Sequence, residues 1–383
     1  MKTKKLKILF DANPMVNGNK SGVGYYTYNL IQELSNRHKN DIELVGHYFN
    51  FLGRKHPKLP TGDNISYRQS RIIPGKALSL TRALGFQLPL ELFFKSNGDA
   101  VIYTNFVALP SVFKIPRFTA IHDLSYEEVP QYVADKNQKF LHRFVRKSIS
   151  MSSGIITIST ITKNSIIKHY GVSPDKICLT YIPPRLTNEA LKAKKPKNIL
   201  GKYILFVGTI EPRKNISNLL AGYTLLPPQI KNTFSLVLAG GMGWKNEEIL
   251  TNIKALQDAG EKILLTGYVS DEEKEYLYNN ASMFVWPSHY EGFGMPPLEA
   301  MLKHIPTAVS DIPVHREVTK DGVAYFNKDQ PDSIRNAISE ILGNSKYTRA
   351  LTARGYQVAT SYEWGPVVES LVHFIRMNSR DDR

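Results

Sequence analysis

The chain has 383 residues, 42% hydrophobic and 22% charged, with a formal net charge of +15. That is longer than a single core, which stops growing at about 250–300 residues, and too apolar for a disordered chain, so two globular domains are expected. Its one cysteine, Cys178, excludes an internal disulfide, fits a reducing compartment and reads as a buried, inert thiol on a strand.

The charge is uneven. Residues 1–190 hold 26 basic against 13 acidic side chains, while residues 191–383 hold 23 against 21. A basic half suits nucleic acid, an anionic membrane surface or phosphate-bearing substrates. Nucleic acid is not expected, because no zinc-ligand spacing, helix-turn-helix pattern or aromatic RNA-binding signature accompanies the charge. The apolar part of MKTKKLKILFDANP ends at Phe10, shorter than the roughly 7–15 residues of a signal-peptide core, and no later run approaches the roughly 18 apolar residues of a membrane span. The expected location is the cytoplasm, with peripheral contact on the inner face of the cell membrane left open by the charge.

In chain order, the first half offers five strands: KILFDAN (7–13), IELVGHYF (42–49), DAVIYTNF (99–106), FTAIHDL (118–124) and GIITIS (154–159). The first is followed by NGNKSGVGYYTYNLIQEL (17–34), a glycine-bearing turn ahead of an apolar-periodic helix; such turns are common in α/β proteins and carry little by themselves. LGFQLPLELFF (84–94) and KFLHRFVRKSI (139–149) together could present an apolar and cationic surface, although each alone reads equally well as core with a solvated basic face. His122 and Asp123 close the fourth strand, and a lone histidine there is more often structural than functional. Near residues 184–201 prolines and lysines replace the periodicity, which reads as a linker.

A second series follows: YILFVGT (203–209), FSLVLAGG (234–241), KILLTGYV (262–269), ASMFVWPS (281–288) and IPTAVSD (305–311). Short apolar runs alternating with helical stretches are the signature of parallel sheets covered by helices. Ligands of such sheets lie beyond the carboxyl ends of the strands, where the motifs of this half fall. FVGTIEPRKNI (206–216) turns through Gly208 and Thr209 and delivers Arg213 and Lys214 to a helix starting near Asn215; adjacent cations there suit a pyrophosphate, or a solvated basic turn. LLTGYVSDEEKEYLYNNA (264–281) carries a capping box, Ser270 with Glu273. A last helix is expected from near Pro366, with Val367, Leu371, Phe374 and Ile375 on one face.

HYEGFGMPPLEAM (289–301) is the densest motif. Gly292 and Gly294 permit a tight turn, and Met295-Pro296 can open a helix whose first amides and dipole favour an anion. Glu291 before that turn and Glu299 inside the helix are wrong for an anion site unless the ligand also presents hydroxyls, since carboxylates accept strong bonds from diols. A phosphate carrying polyols on both sides, a nucleotide sugar, meets both demands. Either glutamate alone would read as a solvated residue of a capped surface helix.

EGFGMPPLE resembles the paired-glutamate signature of retaining family-four (group 1) glycosyltransferases, in particular bacterial surface-polysaccharide mannosyltransferases. The resemblance runs through the glycine turn, the His-Asp strand end, the lysine turn and the glutamate pair in the family's order. It implies an α/β GT-B fold, two Rossmann-like domains facing a central cleft: an acceptor domain over 1–183 on which a C-terminal helix of about 365–383 packs back, a linker over 184–201 and a donor domain over 202–364. It implies that Glu291 contacts the donor's sugar hydroxyls and Glu299 the ribose, with backbone of Gly292, Phe293, Gly294 and Met295 near sugar and phosphate. Gly208, Thr209, Arg213 and Lys214 would meet the diphosphate, and backbone at Tyr268 and Val269 would read the base. Gly22, Val23 and Gly24 would face phosphates and acceptor, and His122 would bond the transferred sugar. Many members carry arginine where this chain has Thr209, so the second positive charge stays to be assigned between Arg213 and other groups.

The function so implied is metal-independent, retaining hexosyl transfer to a saccharide or lipid-linked saccharide in polysaccharide or lipopolysaccharide synthesis, without a cofactor. No D-x-D pair or other metal-ligand spacing is present, and no side chain presents itself as a general base; in this family the leaving phosphate oxygen is thought to take the acceptor's proton. HDLSY, VGTIEPRKN and DIPVHREV make mannose from GDP-mannose the first choice of donor and a UDP sugar the second. The alternatives are a nucleotide-sugar epimerase of the same architecture and a non-catalytic saccharide-binding protein. A pyridoxal-phosphate phosphorylase is disfavoured, because no lysine sits in a Schiff-base context.

Overall fold

Runs of three to eight β-favouring residues, separated by helices, leave parallel pairing as the natural arrangement, because each crossover helix returns the chain to the same edge. The computed structural model describes residues 5–16, 21–71, 88–94, 97–184 and 192–379. Among them the strands of the first half are β1 (Leu6–Asp11), β2 (Ile42–Phe49), β3 (Ile65–Ser70), β4 (Ala100–Tyr103), β5 (Arg117–Ile121), β6 (Gly154–Thr157) and β7 (Ile177–Leu179). They form one sheet in the order β3-β2-β1-β4-β5-β6-β7. The second half supplies β8 (Lys202–Val207), β9 (Phe234–Ala239), β10 (Ile263–Gly267), β11 (Met283–Trp286), β12 (Thr307–Ser310) and β13 (Ala324–Phe326), in the order β10-β9-β8-β11-β12-β13.

All of these pairs are parallel, and both sheets have the doubly wound order of dinucleotide-binding folds. Strand order reverses between β1 and β4 in one sheet and between β8 and β11 in the other. Those two carboxyl-end crevices are where each sheet is built to hold a ligand.

The chain divides into two compact units, Met1–Leu124 with Lys139–Ile182 and Glu363–Arg383, and Ser125–Gln138 with Pro183–Tyr362. In the first, Ser21 caps the helix Gly22–Arg37, its hydroxyl accepting from the Gly24 amide at 3.4 Å. The helix Trp364–Asn378 packs on that helix and on β7, burying Val367, Val368, Leu371, Val372 and Ile375. Gly154 is required there, since a Cβ would stand 2.5 Å from the Phe374 ring. Cys178 is buried on β7, and burial pushes its thiol up to about 11.

The expectation of one uninterrupted first domain over 1–183 needs correcting, because Ser125–Gln138 belongs with the second unit. Its attachment is specific: the Trp244 indole donates to the Tyr132 carbonyl at 2.8 Å, and the Tyr132 ring stacks on His289 at 4.6 Å and 6°. Such contacts join residues more than a hundred positions apart and leave no mark on local patterning.

The second unit is driven by full burial of β11 and β12 and of all but the end residues of β8 and β9. Trp286, 1% exposed, stacks on Phe206 and Phe284; burying a ring of that size removes about 200 Å² from water, about 5 kcal/mol at 25 cal/mol/Å².

Two buried histidines give the stability a pH dependence. Burial pushes His47 on β2 and His315 on the helix Pro313–Thr319 down to about 4, against about 6.5 in the unfolded chain. Below pH 6.5 the unfolded chain takes up protons that the folded one refuses until about pH 4. Stability is therefore full above 6.5 and falls through that window, by about 2–3 kcal/mol for each histidine. Urea unfolding at pH 7 and 4.5 should show the loss, reduced by about half in His315→Asn; equal midpoints at the two pH values would contradict it.

Candidate active site

The site of the second unit forms where β8 and β11 end side by side. After Trp286 the chain runs through Pro287 and Ser288 to Glu291, turns at Gly292, Phe293 and Gly294, and enters the helix Met295–Leu302. Gly294 has φ +106°, a conformation in which any side chain is strained, although a Cβ there would only touch His315 at an ordinary 3.5 Å. Pro296 lies in the first turn, where its missing N–H costs nothing. Phe293 is buried with its ring edge-on to Tyr362.

From β8 the chain leaves through Gly208 and Thr209. Gly208 is hemmed by Trp286, which would lie 2.7 Å from a Cβ. The short turn Pro212–Lys214 then ends on Asn215, which adopts φ +56°. Its side-chain amide donates to the carbonyls of Pro287 at 3.0 Å and Lys328 at 2.8 Å, and the His289 amide donates to the Arg213 carbonyl at 2.9 Å. The two strand ends are thereby stitched together across the crevice.

The side chains meet in a nearly dry charge cluster. Glu291, 8% exposed, accepts from the Lys214 ammonium, from the Ser288 hydroxyl at 2.7 Å and from the Arg213 guanidinium at 2.9 Å. Arg213 also donates to Glu211 at 2.7 Å and to the Tyr290 carbonyl at 2.9 Å. The Lys214 ammonium stands 4.4 Å from the centre of the Trp286 ring. Burial alone would raise the Glu291 carboxyl, but Lys214 and Arg213 beside it win and hold it well below the usual carboxylate range. For Glu211 burial wins and the carboxyl is raised, whereas burial and Arg213 together lower Lys214. Two acids and two bases thus balance before any ligand arrives, and the cluster can exchange its internal bonds for a ligand's hydroxyls and phosphates.

Glu299 sits one turn into its helix, where its Oε2 accepts from the Tyr278 hydroxyl at 3.1 Å and Lys274 at 3.4 Å. Both partners ride on the helix Asp271–Asn280, which carries the capping box of Ser270 and Glu273. Tyr268, just before that helix, is 53% exposed, and Val269 is half-buried. Gly240, after β9, approaches so closely that a Cβ would stand 1.9 Å from the Gly208 carbonyl oxygen.

In the first unit His122 is 6% exposed, with Nε2 2.7 Å from the Thr104 carbonyl and the rings of Tyr26 and Phe106 edge-on at 5.0 and 5.5 Å. A carbonyl only accepts, so Nε2 carries the proton and Nδ1 is left as the acceptor. Burial pushes its pKa down, which keeps the ring neutral. Gly22, Val23 and Gly24 form the first turn of their helix rather than a loop before it, because the Ser21 cap sets the start; residues 17–20 lie outside the described residues.

Sequence reasoning missed Glu211, Ser288, Asn215, Tyr278, Lys274 and the Tyr132–His289 stack. Glu211 was within sight, two residues before Arg213 in EPRKN; the remainder act across the fold.

Two family models match the chain, one described as glycosyl transferases group 1 over residues 187–358 and one as glycosyltransferase family 4 over residues 20–182. The chain is 27% identical over 374 residues to the O-antigen chain mannosyltransferase B of Escherichia coli, covering 94% of this chain and 96% of that one. It is 28% identical over 333 residues to the O-antigen chain mannosyltransferase RfbU of Salmonella typhimurium, covering 84% and 88%. Among solved structures, sucrose-phosphate synthase from Thermosynechococcus elongatus superposes with a TM-score of 0.72 at 15% identity, over 97% of this chain and 99% of that one. WaaG, a glycosyltransferase involved in lipopolysaccharide biosynthesis, does so with a TM-score of 0.68 at 12% identity, over 96% and 99%. With both family models matched and two doubly wound units in place, the chain belongs to the group 1, family-four glycosyltransferases and has the GT-B fold.

Proposed function

We propose that this glycosyltransferase moves mannose, with retention, from GDP-mannose to a saccharide acceptor of a cell-surface polysaccharide. The observation that carries the donor half is the Glu291–Lys214–Arg213 cluster beside the Gly294 turn: one carboxylate for sugar hydroxyls, two cations and a helix N-terminus for diphosphate. Glu299 takes the ribose, backbone at Tyr268 and Val269 meets the base, and no cofactor is needed because the leaving diphosphate is stabilised by these fixed charges. The choice of mannose rests on the two O-antigen mannosyltransferases to which the chain is similar. The neutral His122 bonds the transferred sugar, and the leaving phosphate oxygen takes the acceptor's proton.

The acceptor belongs to the basic first unit, and a lipid-linked saccharide suits it. Leu92, Val112 and Phe113 are 65%, 71% and 59% exposed, and the helix Asp135–Ser150 exposes Lys139, Arg143, Arg146 and Lys147, which together fit peripheral contact with an anionic membrane from the cytoplasmic side. Of the apolar stretch 84–94, residues 84–87 lie outside the described residues. Among the described residues no helix is long and apolar enough to cross a membrane.

A thermal-shift series with GDP, UDP and dTDP tests the donor: GDP should raise the melting temperature most by mass action, and a larger shift with UDP would replace mannose transfer from GDP-mannose with a UDP sugar. Tyr132 supplies a second test. Its stack on His289, two residues before Glu291, fixes the loop that carries the carboxylate. Tyr132→Ala should weaken GDP-mannose about three- to tenfold and GDP less, as expected for a ring pair worth about 0.5–1.5 kcal/mol, while Tyr132→Phe keeps wild-type affinity. Equal losses for both ligands would remove that role.

A further inference from the structure

A buried chain of hydrogen bonds runs through the second unit from His315 to Glu291. His315 is fully buried on the helix Pro313–Thr319, and its Nδ1 lies 2.8 Å from the carbonyl and 3.2 Å from the hydroxyl of Ser310, the last residue of β12. The Ser310 hydroxyl donates to the Ser288 carbonyl at 2.6 Å, just beyond the end of β11, and the Ser288 hydroxyl stands 2.7 Å from Oε1 of Glu291. Both serines are fully buried too.

The direction of each proton follows. A carbonyl only accepts, so Nδ1 carries the imidazole proton, and the Ser310 hydroxyl, whose own proton goes to Ser288, can only accept from it. The Ser288 hydroxyl faces a carboxylate and donates. Every donor therefore points toward Glu291, and Ser288 is held at both its carbonyl and its hydroxyl. Burial keeps the ring neutral, which leaves Nε2 without a proton. The surroundings require this: Nε2 has no hydrogen-bond partner among the described residues, and Gly294 packs beside it, a Cβ there lying 3.7 Å away. An imidazolium N–H at that place would be a buried donor without an acceptor.

Glu291 accepts from Lys214, Arg213 and Ser288. In the proposed reaction the two cations are drawn toward the donor's diphosphate, whereas the neutral Ser288 has no such competitor and stays on the carboxylate. Its placement then decides where the second carboxylate oxygen meets the sugar hydroxyls.

We propose that His315 is a positioning residue for glycosyl transfer: through Ser310 and Ser288 it fixes the Glu291 carboxylate against the donor's sugar while the cations hold the diphosphate. The inference rests on the reading of Glu291 as the sugar-binding group and deepens it.

The test separates the hydrogen bond from the space the ring fills. Leucine fills much of that space without a donor, and asparagine keeps a donor near the place of Nδ1 while giving up the rest of the ring. His315→Leu should lower kcat/KM for GDP-mannose at least about tenfold with GDP affinity within about threefold of wild type, and His315→Asn should keep kcat/KM within about threefold. In a Glu291→Gln background the leucine substitution should cost less than about twofold more, because the group it positions has already been lost. Ser310→Ala, which removes one link and leaves the ring, should repeat the leucine pattern, and it decides the matter if His315→Leu does not fold. Equal losses in the leucine and asparagine variants, an undiminished further loss in the Glu291→Gln background, or wild-type activity in either His315→Leu or Ser310→Ala would overturn the proposal and leave the reading of Glu291 intact. Full activity in Glu291→Gln by itself would remove that reading and the proposal with it.

Discussion

Glu291→Gln should lower kcat/KM for glycosyl transfer by at least about 100-fold while leaving GDP affinity within about threefold of wild type. In the proposed reading the carboxylate serves the sugar rather than the nucleotide, and the amide keeps its shape but gives up the charge that orders Lys214 and Arg213. Glu291→Ala should add a folding defect. It leaves two cations in a nearly dry site with Glu211 as the neighbouring acid, and breaking a buried ion pair on one side costs about 3–5 kcal/mol. Counting radiolabelled product against donor, with calorimetry on GDP, separates the effects. Full activity in the glutamine variant would take Glu291 out of the reaction.

Lys214→Met should fail in the complementary way. Lys214 is 7% exposed, its ammonium held between Glu291 and the face of Trp286, so no surface lysine can stand in for it. Losing a charge-assisted contact to diphosphate should weaken GDP by about 10–100-fold, and the salt dependence of binding should flatten. Lys214→Arg should not restore affinity in full, since the larger guanidinium has to enter a buried slot filled by a compact ammonium. The fold should survive better than in Glu291→Ala, because Glu291 keeps Arg213 and Ser288 as donors. Unchanged GDP affinity in the methionine variant would assign the diphosphate to other groups.

These contrasts depend on which parts of the site could be read from the chain. The turns of the second unit were legible because their chemistry is local: Gly208 after an apolar strand, the cations of PRKN, the left-handed Gly294 ahead of Pro296, and the Ser270 cap. Ten strands announced themselves as apolar runs, and β7 was legible around Cys178. β3 and β13 did not. β3 reads ISYRQS and is half exposed at the edge of its sheet, and β13 has three residues. Neither is long or apolar enough to stand out from a loop. The glycine turn was carried too far along the chain, since Ser21 starts the helix at Gly22.

What no local pattern could supply was pairing at long range. That the Glu291 carboxylate is clamped by both cations, that Tyr278 holds Glu299, and that Tyr132 stacks on His289 all depend on how strands align and crevices close. The interruption of the first domain at Ser125 belongs to the same class. Motifs reveal which groups a site needs, and the fold decides which of them touch.

The most direct measurement is a crystal structure of the full chain with GDP-mannose bound. The account predicts diphosphate oxygens on Lys214, Arg213 and the amides of Gly294 and Met295, mannose hydroxyls on Glu291, and ribose hydroxyls on Glu299. Ligand bound away from the β8–β11 crevice, with Glu291 still closed on its two cations, would contradict it.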